Sequence, residues 1–260
     1  MRPFASSKPL IGVVHLLPLP GSPRYRGPAD LGPILDRAAA DAEALVEGGA
    51  DALIVENLGD APFLPLAPPE TVAAMAVAVS AITRLCAIPV GVNVLRNDAE
   101  AALGIAAVTG AKFVRVNVFC GTVVTDAGTI EGTPRTLLAS RRRFERDIAL
   151  LADVHVKHAA HFNALEEAAI DAARNGADAL IVTGAATGMS PSADAFRAAE
   201  CGGLPVIVGS GMTPEEVGAF GAAAGFVVGS FLHREGRIGE PIDADRVRRM
   251  ADAVRALREG

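Results

Sequence analysis

The chain has no tryptophan, one tyrosine and three cysteines among 260 residues. With so few aromatic rings it has little from which to build a base-stacking platform for single-stranded nucleic acid. The net charge of -6 withholds the basic footprint that phosphate-backbone binding needs, so no nucleic-acid partner is expected. Cys86, Cys120 and Cys201 are scattered, odd in number and without metal-ligand spacing, which reads as a reducing cytoplasm rather than a disulfide scaffold. Long apolar runs are also missing. The longest uncharged stretch, Val217 to His233, covers 17 residues and is broken by Gly218, Gly221, Gly225 and Gly229. A helical span needs about 20 apolar residues, so no membrane span is expected. Arg2 and Lys8 precede an apolar run, but Pro18, Pro20 and the lack of a small-residue cleavage pattern argue against a signal peptide.

What is abundant is apolar and aliphatic. Half of the residues are hydrophobic and 21% are charged, enough for a real core in one domain over residues 1–260. Short β-branched runs recur after turn signals at Leu10–Leu16, Ala52–Asn57, Pro89–Val94, Phe113–Val118, Val154–His158, Ala179–Thr183, Pro205–Gly209 and Gly225–Gly229. Between them lie Ala-rich stretches with helical periodicity, among them Asp36–Glu47, Glu70–Leu85, Asp98–Val108, Arg141–Leu151, Ala164–Asn175 and Asp243–Leu257. Alternating strands and helices give right-handed βαβ units and a parallel sheet. Eight such units in this length match a single (β/α)8 TIM barrel, with a doubly wound open sheet as the competitor. A repeat favours the barrel. Even-numbered strands share a lead-in, Gly-Gly-Ala-Asp at 48–51, Gly-Ala-Lys at 110–112, Asn-Gly-Ala-Asp at 175–178 and Ala-Ala-Gly at 223–225, in which a glycine supplies the helix-ending turn.

Strand alternation separates two faces. Val92, Val114, Val116 and Val154 suit packing under the outer helices. Asn93, Arg115, Asn117, His155 and Lys157 then point into the lumen, where an unpaired charge is costly and is either paired or used. Lys157 is one of three lysines against 21 arginines. It suits an anion, a proton transfer or a Schiff base, against the plainer reading of a structural pair with Glu56 or Asp126. Barrel active sites sit at the carboxyl ends of the strands. Those ends deliver His15, Glu56, Asn93, Arg115, Asn117 and Lys157, the candidate catalytic set. No metal or other cofactor is expected. His155, His158 and His161 do not converge on a metal if 155 and 158 take opposite strand faces, although Glu56, Asp60 and Asp126 have the chemistry to hold Mg²⁺ beside a phosphate.

Two glycine loops follow strands seven and eight, Val208-Gly-Ser-Gly-Met-Thr213 and Val228-Gly-Ser-Phe231. Barrels often build a phosphate site there. Gly209, Ser210, Gly211, Gly229 and Ser230, with Gly184 of the strand-six loop, are the candidate phosphate ligands, against the plainer reading of tight βα turns. Long connections follow strands one, two and four; their prolines suit a fixed rim or a dimer contact, and a homo-oligomer is expected.

The segments GVVHLLPLPGSP, GGADALIVENLGDAPF, PPETVAAMA, PVGVNVLRND, TGAKFVRVNVFCGTVVTDAGTIEG, ADALIVTGAATG and VGSGM resemble the BtpA/SgcQ family over most of the chain. The resemblance implies a TIM-like barrel in the cytoplasm. One branch is a photosystem I biogenesis factor. The other lies with sugar-metabolism genes and is enzyme-like, of unknown reaction. No site residue comes from the family. The residues themselves favour an enzyme acting on a small phosphorylated metabolite, a sugar or nucleoside phosphate, by isomerisation, aldol cleavage or glycosyl-bond chemistry. A non-catalytic assembly or stability factor using the barrel rim is the alternative, and a phosphate-binding sensor a third.

Overall fold

A computed structural model describes residues 1, 3–27, 30–184 and 188–259. In chain order its strands are β1 (Leu10–His15), β2 (Ala52–Glu56), β3 (Val90–Asn93), β4 (Phe113–Val116), β5 (Thr122–Thr125), β6 (Gly128–Glu131), β7 (Ala149–Val154), β8 (Ala159–Ala160), β9 (Ala179–Thr183), β10 (Val206–Gly209) and β11 (Gly225–Val228). Eight of them close into a parallel barrel in the order β1-β2-β3-β4-β7-β9-β10-β11, with β11 paired back to β1. The helices α1 (Gly32–Glu47), α2 (Pro69–Leu85), α3 (Ala99–Thr109), α4 (Pro134–Arg143), α5 (Leu165–Arg174), α6 (Ala193–Glu200) and α7 (Ala244–Glu259) form the outer ring, and a short 3₁₀ turn, Val217–Phe220, replaces a helix after β10. The fold is the (β/α)8 barrel that the alternation predicts.

The repeated lead-ins explain themselves chemically. Gly49, Gly110 and Gly176 sit at φ of +92°, +85° and +90°, the left-handed turn that ends a helix. Gly225 does not; it is already within β11. The aspartates that follow the glycines repeat one bond. Asp51 accepts from the Leu10 N–H at 2.8 Å and Asp178 from the Leu150 N–H at 2.7 Å, each tying a neighbouring strand to the start of its own.

Strand alternation divides the core in two. Val55, Val92, Val114, Val116, Val154 and Val182 pack outward under the helices. The lower lumen is filled by Ile11, Val13, Ile54, Phe113, Leu151, Ile181, Ile207 and Val227, with Phe4 closing the floor edge-to-face on Phe113 at 5.2 Å between ring centroids. Above that apolar packing the lumen turns polar.

One strand lies elsewhere than expected. The fifth barrel strand is Ala149–Val154, not Val154–His158, and α4 ends at Arg143 rather than running on to Leu151. His155 and Lys157 therefore leave the barrel wall for the loop above it. That loop turns at His155 and His158, at φ of +53° and +59°, and the intervening Lys157 comes back over the mouth. The connection after β4 is a hairpin, β5–β6, extended to three antiparallel strands by β8. Its underside packs Val123 and Ile130 against Val118 and Val156. Among the described residues, no helix is long and apolar enough to cross a membrane.

Candidate active site at the barrel mouth

The top of the lumen carries one shared charge system. Asp153 accepts from Arg115 Nε and Nη2 at 2.9 Å each, the planar fork-on-carboxylate pairing, and from Asn117 Nδ2 at 2.9 Å. Glu56 Oε2 accepts from Asn93 Nδ2 at 2.6 Å and lies 3.8 Å from Arg115 Nη1. Burial opposes the Arg115 charge, but Asp153 and Glu56 more than offset it, so the guanidinium stays protonated. Arg115 is thus already committed to protein carboxylates. Removing one partner of such a buried pair typically costs about 3–5 kcal/mol, because the survivor is left uncompensated.

Above this system is a cavity of about 230 Å³. His15, Glu56, Arg115, Asn117 and Lys157 line it, as do Ser210, Gly229 and Ser230. Arg96 and Asp126 reach it from the rim, 3.7 Å apart. Lys157 Nζ donates to Ser210 Oγ at 3.0 Å, and Arg96 donates to the Lys157 carbonyl at 2.9 Å. Burial, helped by Arg115, lowers the Lys157 pKa, while Glu56 and Asp153 pull the other way. Five buried side-chain atoms have no partner among the described residues; Asn93 Oδ1, Asn117 Oδ1 and Thr183 Oγ1 at the strand ends, and His155 Nε2 just above, are four of them.

The remaining sequence candidates lie around this cavity rather than on its surface. Asn93 stands beneath Glu56. Gly184 and Gly211 back onto the Met189–Ser190 backbone, where any Cβ would overlap it, and Gly209 faces the Ile181 and Thr183 side chains. The Ser210 N–H, a prospective phosphate donor, is bonded to the Val227 carbonyl at 3.1 Å. Residues 185–187 of the strand-six loop lie outside the described residues. The Mg²⁺ trio does not gather: Asp60 accepts from the Leu19 N–H and from Asn57, and Asp126 faces Arg96. Among the described residues, no three His, Cys, Asp or Glu side chains are arranged to hold a metal. His155 and His161 do come together, stacked at 4.2 Å.

Three participants were not legible as candidates. Asp153 was hidden by the displaced strand, Arg96 by lying in a loop after β3. His233 was hidden by its distance of 218 positions from His15, yet it is fully buried and its Nε2 lies 2.8 Å from His15 Nδ1. The two rings are 19° apart in plane with centroids at 5.1 Å, about what imidazoles meeting edge to edge across that contact require. Burial, reinforced by His233, Lys157 and Arg115, lowers the His15 pKa to about 3, so the ring is neutral at ordinary pH.

A family model described as the BtpA family matches residues 6–256. The chain belongs to this family. It is 47% identical over 255 residues to an uncharacterized protein of Pyrococcus abyssi, covering 97% of this chain and 98% of that one. It is 45% identical over 258 residues to the photosystem I biogenesis protein BtpA of Synechocystis, covering 96% and 89%. Among solved structures it resembles phosphoribosyl anthranilate isomerase from Thermus thermophilus, at TM-score 0.60, 14% identity and coverage of 96% and 99%. It also resembles thiamine phosphate pyrophosphorylase from Pyrococcus furiosus, at TM-score 0.55, 15% identity and coverage of 96% for both chains. At such identities the structural likeness establishes the barrel and nothing finer.

Proposed function

We propose that the mouth is the active site of an enzyme acting on a small phosphorylated metabolite, a sugar or nucleoside phosphate. The observation that carries this is the division of labour between two partly buried cations at the mouth. Arg115 is held by Asp153, whereas Lys157 meets a neutral hydroxyl, Ser210, on the surface of the cavity. Among the described residues no salt bridge joins Lys157 to a carboxylate, and a cation so placed suits a ligand anion. Ser210, Ser230 and Gly229 surround the phosphate, with Arg96 at the rim; Gly184, Gly209 and Gly211 shape the loops behind them. His15 or Glu56 supplies acid–base chemistry opposite Lys157, which stabilises a developing oxyanion, with Asn117 and the Arg115 system fixing the geometry. Two structural neighbours, by their names, act on phosphorylated compounds; this agrees with the reading but does not carry it.

The second reading is an assembly or stability factor, favoured by the 45% identity to a photosystem I biogenesis protein. Its natural signature is neutralised lumen charge without a concave anion site. Arg115 fits that signature; Lys157 and the cavity do not. The deciding experiment is a thermal-shift panel of sugar phosphates and nucleotides. A ligand at a hundred times its Kd adds about 2.7 kcal/mol of stability, and Lys157→Ala is expected to abolish the response while folding normally. Silence across the panel for the native chain transfers the argument to the assembly factor.

A further inference from the structure

The contact between His15 and His233 fixes where the hydrogens of both rings lie. His233 Nδ1 is 2.6 Å from the Glu240 carbonyl oxygen. A carbonyl only accepts, so that nitrogen carries the hydrogen. In a neutral imidazole the other nitrogen, Nε2, is then a lone pair. Nε2 lies 2.8 Å from His15 Nδ1, which must therefore donate. By the same rule His15 Nε2 is a lone pair. Reversing the chain would press a His233 lone pair against the Glu240 oxygen at 2.6 Å.

His15 Nε2 faces the mouth, 3.8 Å from Glu56 Oε1, with Gly229 leaving the space that the ring occupies. Two acceptors thus stand side by side at the cavity wall, one neutral and one anionic, across from the Lys157 ammonium. Burial keeps both imidazoles neutral, with the Arg37–Asp41 pair beside His233 acting in opposite senses.

We propose that His233 is a positioning residue that locks His15 Nε2 as a hydrogen-bond acceptor of the mouth, and that the His15–Glu56 acceptor pair selects a phosphate whose carbon skeleton bears hydroxyl groups. The hydroxyls donate to His15 Nε2 and Glu56 Oε1 while the phosphate faces Lys157. The substrate class rests on the functional reading above; the hydrogen assignment does not.

The test is long-range ¹H–¹⁵N correlation NMR on protein carrying ¹⁵N-histidine at neutral pH, where five histidines give a tractable spectrum. His15 and His233 are expected neutral, each with its hydrogen on Nδ1. His233→Gln, whose amide can donate to Glu240 and accept from His15, keeps the His15 tautomer. His233→Leu releases it to a mixture with the hydrogen on Nε2. A native spectrum with His15 charged or protonated on Nε2 overturns the assignment even if no variant folds, and an unchanged tautomer in His233→Leu overturns the positioning role. Ribose 5-phosphate and inorganic phosphate are then compared. The His15 Nε2 resonance is expected to move with the sugar phosphate only. Binding of both without that movement overturns the substrate class while leaving the anion site standing. Binding of neither overturns the functional reading, and the substrate class with it, but not the hydrogen assignment.

Discussion

His15 shows how one side chain couples the site to the stability of the barrel. Its ordinary pKa of 6.5 falls to about 3 in the fold, chiefly because burial excludes the charged ring. Between those values the unfolded chain holds a proton that the folded chain does not. Stability therefore falls as pH drops from 6.5 towards 3 and returns as pH rises, by on the order of 1 kcal/mol per pH unit for this residue alone. The lowered pKa values of His155 and His233 act in the same direction, whereas the raised pKa of Asp60 acts against them. Melting temperatures of the native chain and of His15→Asn, taken from pH 6.5 to 4.5, are expected to fall less steeply in the variant. Parallel lines would mean that His15 is not held neutral by the fold.

At the scale of elements, the two halves of the barrel differed in how much the sequence disclosed. β3 and β4 carry valines on one face and Asn93, Arg115 and Asn117 on or just beyond the other, so these three could be aimed into the lumen from spacing alone, whereas Glu56 was placed at the mouth by ending β2. β7 could not be read that way. Its sequence, Ala-Leu-Leu-Ala-Asp-Val, has the composition of a helix and continues a helical stretch without a glycine or proline between. It is also buried on both faces between β4 and β9, which erases alternation. Asp153 was lost as a result, and Lys157 was aimed at the mouth from a strand that it does not occupy. The same packing logic yields a prediction where spacing worked. Gly91 of β3 lies under the Phe113 ring of β4, and an added methyl would overlap it. Gly91→Ala is expected to cost about 1–3 kcal/mol by overpacking. Adding Phe113→Leu should cost less than the sum of the two single changes, since each relieves the other's fault, and denaturant midpoints of all four proteins measure the difference. Strict additivity would show that the two positions do not share the lumen.

The whole molecule separates its apolar packing from the ionisable groups of its lumen along the barrel axis. At the floor, Phe4 is buried against Phe113, the Lys8 ammonium donates to the Gly221 and Ala223 carbonyls, and Arg258 near the end of α7 reaches the Lys8 carbonyl and Asp51. These contacts tie the start of the chain to its last helix and close the lumen from below. The ionisable groups of the lumen gather at the opposite, carboxyl end, above the apolar layers. Loss of a buried Phe side chain typically costs about 3–5 kcal/mol, and in a domain of this size each kcal/mol moves the Tm by roughly 2–4 °C. Phe4→Ala is therefore expected to lower the Tm by about 10 °C while leaving the midpoint of a sugar-phosphate titration unchanged. Lys157→Ala is expected to do the converse, because a desolvated ammonium whose partner is a neutral hydroxyl contributes little to folding. The pair of variants, each examined for melting and for ligand response, tests the axis directly. If Phe4→Ala weakened the ligand as much as Lys157→Ala, the lumen would be transmitting strain from floor to mouth, and the apolar layers between them would not be acting as rigid packing.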